Sequence, residues 1–147
     1  MILIIKWISY IVTGILLFYI AAKDQKSKKI TNRSLMFFLI AALPMAFQLP
    51  ITIWERLLGF LLTGSPLFFM NLFLPGSFGG GDIKLLAIAG GLLGWKSGLL
   101  ALCAGFLAAG IYGVVMLAMG KRSKKDQIAL GPFLCLGIAG CFLLVNK

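Results

Sequence analysis

Histidine is absent from all 147 residues, and acids are nearly so: four Asp and Glu stand against 14 Lys and Arg. Without histidine, a Ser-His-Asp triad and a histidine-ligated metal centre are both excluded. Charged residues make up only 12% of the chain, half the usual quarter, while 61% of residues are hydrophobic. The mean hydropathy is +1.03. A soluble domain of this length has too little interior to hide so much apolar surface, so the chain reads as an integral membrane protein. The net charge of +10 would point to nucleic acid in a soluble protein. Here the basic residues gather in short loops between apolar segments, which makes anionic lipid headgroups the expected partner and nucleic acid none. Cys103, Cys135 and Cys141 lie inside apolar segments without CxxC spacing. They read as small packing residues, not as a disulfide framework or a zinc site. No metal or cofactor is expected.

What is present is a succession of apolar runs. Six candidate spans fall near Leu3–Ala22, Ser34–Leu49, Ile53–Leu74, Ile83–Leu93, Ser97–Met119 and Ile128–Val145. The expected fold is all-α: a single membrane-embedded domain, residues 1–147, with about six transmembrane helices. The first run is too long for a signal-peptide core and is read as a retained helix. Pro44 and Pro66 fall inside the second and third spans, where each removes an amide donor and favours a kink. Gly90, Gly91, Gly94 and Gly98, with Gly105, Ala109, Gly110 and Gly113, form small-residue faces suited to close helix packing. Orientation follows from the basic residues. Ten of them fall in the first, third and fifth loops (Lys23, Lys26, Lys28, Lys29, Arg33, Lys84, Lys121, Arg122, Lys124, Lys125). Only Lys6, Arg56, Lys96 and Lys147 fall on the other side, so those three loops are expected in the cytoplasm and both termini outside.

That topology places Asp24 and Asp82 on one membrane face. A carboxylate bordering hydrocarbon is costly, about 2.5–3.5 kcal/mol at a helix centre on insertion scales. Asp24 alone reads as a loop acid among cations, and Asp82 alone as a helix N-terminal cap. A cap does not require three preceding glycines, however. Gly79, Gly80 and Gly81 are expected to provide φ > 0 and irregular backbone, where an extended peptide can lie beside the carboxylate. Two carboxylates meeting in a poorly hydrated site hold one proton between them. The ionised member then deprotonates water while the protonated one polarises a scissile carbonyl, the chemistry of an aspartic protease. Lys84 lies about 200° round an ideal helix from Asp82, so headgroup contact is preferred over pairing with that carboxylate, with substrate contact as the alternative. Asn32 and Gln25 are candidates for orienting a peptide. Glu55, expected to pair with Arg56 or with solvent, and Asp126, set among loop lysines, are read as structural.

An aspartate after the first helix, then Gly79-Gly80-Gly81-Asp82-Ile83-Lys84, then Gly131-Pro132-Phe133-Leu134-Cys135-Leu136-Gly137, resembles the type IV prepilin peptidases and the related preflagellin peptidases. The resemblance spans Asp24 to Gly137. It implies that Asp24 and Asp82 are the catalytic aspartates of a GxGD membrane protease, with Gly79, Gly80, Gly81, Lys84, Asn32 and Pro132 binding substrate or shaping the site. It further implies cleavage of the short basic leader of a pilin-like precursor (prepilin, Tad-type or flagellin-like) at the cytoplasmic face. Two stretches depart from the family pattern: Ile30-Thr31-Asn32 stands where Ile-Pro-Asn is common, and Ile128-Ala129-Leu130-Gly131-Pro132 where Ile-Pro-Phe-Gly-Pro is. The cysteine-bearing domain of larger bifunctional members has no counterpart here, so a peptidase-only form without N-methylation is expected. The alternatives are a proton- or cation-coupled transporter component using the same carboxylates, and a catalytically silent pilus-assembly subunit.

Overall fold

The computed structural model describes residues 2–27, 30–75, 78–120 and 129–145. Lys28, Lys29, Lys121, Arg122, Lys124, Lys125, Asp126, Ile128 and Lys147, on which part of the charge and span reading rests, lie outside them. Among the described residues six helices stand where the six apolar runs predict them: α1 (Ile2–Ser27), α2 (Asn32–Gln48), α3 (Ile53–Phe73), α4 (Gly80–Leu93), α5 (Trp95–Ala118) and α6 (Gly131–Val145). The protein is an all-α membrane protein. Its outer surface is apolar, with Phe47 and Phe73 each 80% exposed, the reverse of what water would tolerate. By length and composition α1, α3 and α5 can each cross a bilayer. At 1.5 Å per residue, the 14 residues of α4 and the 15 of α6 reach only about 21–23 Å, short of the roughly 30 Å hydrocarbon core.

The short α4 is the central element. It packs against α2, α3, α5 and α6, while α1 lies outside, on α2 and α6. A helix that is apolar all round belongs in the interior, and Leu85, Leu86, Ala89, Leu92 and Leu93 of α4 are all buried. The seam with α3 works because side chains are missing from it. A Cβ on Gly90 would come within 2.8 Å of the Thr63 methyl, and one on Gly59 within 2.8 Å of the Gly90 carbonyl carbon. Thr63, fully buried between them, places its hydroxyl 2.7 Å from the Gly59 carbonyl and 2.8 Å from that of Leu86. It thereby ties the two backbones in a place where a polar group without a partner would be costly. Gly94, at φ +80, ends α4 and lets α5 begin at the next residue. This is a backbone conformation that glycine adopts without strain.

Three sequence expectations are corrected by the fold. Asp24 is not in a loop: α1 continues through it to Ser27, because Ala21-Ala22-Lys23 and Gln25-Lys26 are all good helix formers. The glycines before Asp82 do not take up positive φ. Gly79 is the α4 N-cap at φ −68, Gly80 and Gly81 are already helical, and among the described residues only Gly94 and Gly120 have φ > 0. Cys103 faces outward on α5, whereas Cys135 and Cys141 are buried as packing residues should be.

At the end of the bundle where α3 begins, Thr52 and Glu55 form a capping box. Glu55 is therefore engaged by Thr52 and not by Arg56. The Arg56 guanidinium instead donates to the Leu92 carbonyl at 3.1 Å and to the Ala46 carbonyl. In this way it serves the C-terminal turns of α4 and α2, adding a charged donor to the Ala46 carbonyl that also accepts the Leu49 amide at 3.2 Å.

Candidate functional site

The first turns of α2, α4 and α6 meet the last turn of α1 at one end of the bundle, where Asp24, Asn32, Gly81, Lys84 and Gly131 make contacts between segments. Because the first amides of a helix have no partner within it, the Gly131 N–H that opens α6 is free to donate elsewhere. It does so to Asp24 Oδ2, at 3.0 Å. A Cβ at Gly131 would sit against the Asp24 carboxylate, 2.7 Å from its Cγ. Only glycine permits that approach. Pro132, buried in the same first turn, suits a position whose amide the helix would not use. Asp24 is 4% exposed and Asp82 7%.

Asp82 sits in the first turn of α4, directly before the apolar stretch that starts at Ile83. Its carboxylate is directed back at the Gly79 amide, which is half of a capping box. The cap reading is therefore correct for one oxygen. The other, Oδ1, is buried and has no hydrogen-bond partner among the described residues. An unpartnered buried carboxylate oxygen is expensive unless it serves a purpose. Burial pushes the Asp82 carboxyl above its ordinary range, the neighbouring Asp24 charge adds to that, and the Gly79 amide opposes it; the result is about 6. The two aspartates, 58 positions apart in sequence, thus lie within range of each other's charge.

The remaining motif residues fall into place around them. Gly81 is pressed against the first loop: a Cβ there would be 2.5 Å from Ile30 Cβ and 3.1 Å from its carbonyl oxygen. The third glycine therefore serves close approach and not turn geometry. Gly79 is close to Asp82 itself, and Gly80 has open space around it. Lys84 is exposed in the first turns of α4. Its Nζ donates to Asn32 Oδ1 at 3.1 Å, joining the start of α2 to α4. Gln25 is exposed on the last turn of α1.

Two features escaped the sequence reading. The Gly131 amide is one, although the glycine-proline pair at a helix start signals it. Cys135 is the other: it is buried one turn beyond Gly131, a position no spacing rule would reveal. Beside Lys84 an apolar groove of about 720 Å³ runs between α2, α3 and α4, with Leu39, Phe68 and Ile88 in its walls and Asn32 and Lys84 among its few polar groups. Among the described residues no three acidic or cysteine side chains cluster to hold a metal ion.

The sequence pattern of the type IV leader peptidase family matches residues 11–114. The chain belongs to that family. It is 30% identical over 125 residues, 83% of its length, to a "Prepilin leader peptidase/N-methyltransferase" of Bacillus subtilis (strain 168). It spans about half the length of that relative. No solved structure matches the chain. The family match ends within α5 and so contains both aspartates but not the Gly131 turn, which the fold alone connects to Asp24.

Proposed function

We propose that this type IV leader peptidase is a membrane aspartic endopeptidase that removes the short basic leader of pilin-like precursors, with Asp24 and Asp82 as its catalytic pair. The observation that carries this reading is the convergence of two buried carboxylates from α1 and α4, one of them keeping an oxygen without a hydrogen-bond partner among the described residues. Family membership supports it, and so does the relative's printed function. The reading is confined to the peptidase half of that printed name.

Asp24, which accepts the Gly131 amide, is assigned as the ionised member, and Asp82, desolvated and next to a like charge, as the protonated one. Water between them gives a proton to Asp24 as its oxygen adds to the scissile carbonyl, while the Asp82 proton moves onto the carbonyl oxygen. The tetrahedral adduct then collapses: the C–N bond breaks, the amine leaves with the proton held by Asp24, and Asp82 recovers its own. No covalent intermediate forms. The apolar groove beginning beside Lys84 supports the same reading, since it offers an unpolar wall to a hydrophobic precursor segment next to the cleavage point. The cytoplasmic face is the side assigned to the pair, by the loop charges.

The test is leader removal from a pilin-like precursor by purified protein, followed by mass spectrometry. Asp24→Asn and Asp82→Asn should each lower the rate roughly 10²–10⁴-fold while helicity and membrane insertion persist. Processing at the normal rate by either variant would eliminate the mechanism.

A further inference from the structure

A second polar cavity, of about 500 Å³, lies between the last turns of α1 and the first turn of α2. Lys23, Arg33, Tyr19 and Thr31 line it, and Leu16 and Phe37 supply its apolar part. The Lys23 ammonium stands 5.7 Å from the Tyr19 ring centroid. Thr31 is the N-cap of α2, yet its side chain makes no cap bond. The Arg33 guanidinium has no hydrogen-bond or ion-pair partner among the described residues. No acid lines the cavity.

We propose that this cleft seats the phosphodiester headgroup of an anionic phospholipid. Two cations flank it, one of them a planar guanidinium suited to bidentate contact with phosphate oxygens. The α2 N-terminus adds amides and a dipole that favour an anion. The apolar part selects a lipid over a free phosphate, because Phe37 and Tyr19 are on the outward surface, 63% and 52% exposed. From there an acyl chain can continue along the apolar flanks of α1 and α2. The basic leader of a precursor is repelled by the same two cations, so the seat is distinct from the peptide path. It does not depend on the proteolytic reading. An occupied seat ties the end of α1 to the start of α2, one residue from Asp24.

Spin-labelled phosphatidylglycerol and phosphatidylcholine, compared in bilayers holding the full chain at low salt, test the assignment. The wild type should restrict the motion of phosphatidylglycerol in preference to phosphatidylcholine. Lys23→Gln and Arg33→Gln should each reduce that preference about fivefold, and Arg33→Lys, which keeps the charge but loses the bidentate fork, should restore only part of it. An unchanged preference in the double variant overturns the proposal, as does its loss only on neutralising Lys121 and Lys124. A Phe37→Trp variant gives a reading that leaves both cations in place. Stronger quenching by brominated phosphatidylglycerol than by brominated phosphatidylcholine supports the seat, and equal quenching overturns it. Displacement by an equal concentration of glycerol phosphate would also overturn the lipid assignment.

Discussion

Asp82 is held at one oxygen and left open at the other, and that asymmetry makes its protonation state responsive to what enters the site. In the free protein its carboxyl titrates at about 6, and a bound precursor that displaces water moves it higher. The catalytic rate per substrate, kcat/KM, should therefore fall on both sides of an optimum. At the acid end both carboxyls are protonated and no base remains. As pH rises through the Asp82 value, the proton that polarises the carbonyl is lost. A profile measured with a precursor peptide that stayed flat from pH 4 to 9 would contradict this, and the two limbs belong to the pair and not to single residues. Gly131 offers a second handle. Gly131→Ala places a methyl against the Asp24 carboxylate, and a displacement near 1 Å costs on the order of 10²-fold in rate. Cleavage assays should show that loss in kcat, with the thermal midpoint little changed.

At the scale of helices, Arg56 joins the ends of α2 and α4 far from the aspartates. Arg56→Leu removes charged hydrogen bonds to two helix-end carbonyls, of which that of Ala46 keeps the Leu49 amide, at a cost of about 1.5–3 kcal/mol. Thermal unfolding in detergent should register it, while the folded fraction keeps its rate. Helix existence was legible because each apolar run is long and punctuated by loops of lysine, glycine or proline. The two aspartates were legible because a carboxylate is rare in such a chain. What escaped were interactions through backbone groups, which carry no sequence signature of their own: the Gly131 amide on Asp24, and the Ile30 backbone against Gly81. The Arg56 contacts belong to the same class, since an adjacent Glu55 makes an ion pair the obvious reading. Yet Thr52 and Glu55 stand at the capping-box spacing, and this consumes the acid. Helical Gly80 and Gly81 show how a glycine run can be mistaken for a turn, when it is Gly81 alone that lets another segment touch it.

Across the whole molecule, motif-bearing turns gather at one end and the Arg56 and Thr52 contacts at the other. The orientation proposed from the loop charges puts the first end in the cytoplasm. In a Cys103→Ala background, a cysteine at exposed Gln25 should react with an impermeant reagent only from the cytoplasmic side, and one at exposed Lys96 only from outside. The opposite pattern would reverse the orientation.

The brevity of α6 carries a mechanical corollary. Long α1, α3 and α5 fix the protein in a bilayer that α6 cannot match. The equally short α4 is enclosed by its neighbours, but α6 turns Leu136, Leu143 and Leu144 outward. The lipid beside it must therefore dimple to meet it, at a fraction of a kcal/mol for each ångström of mismatch. The polar boundary then sinks toward the carboxylates, and solvent arrives at a depth where an unperturbed leaflet would have kept it out.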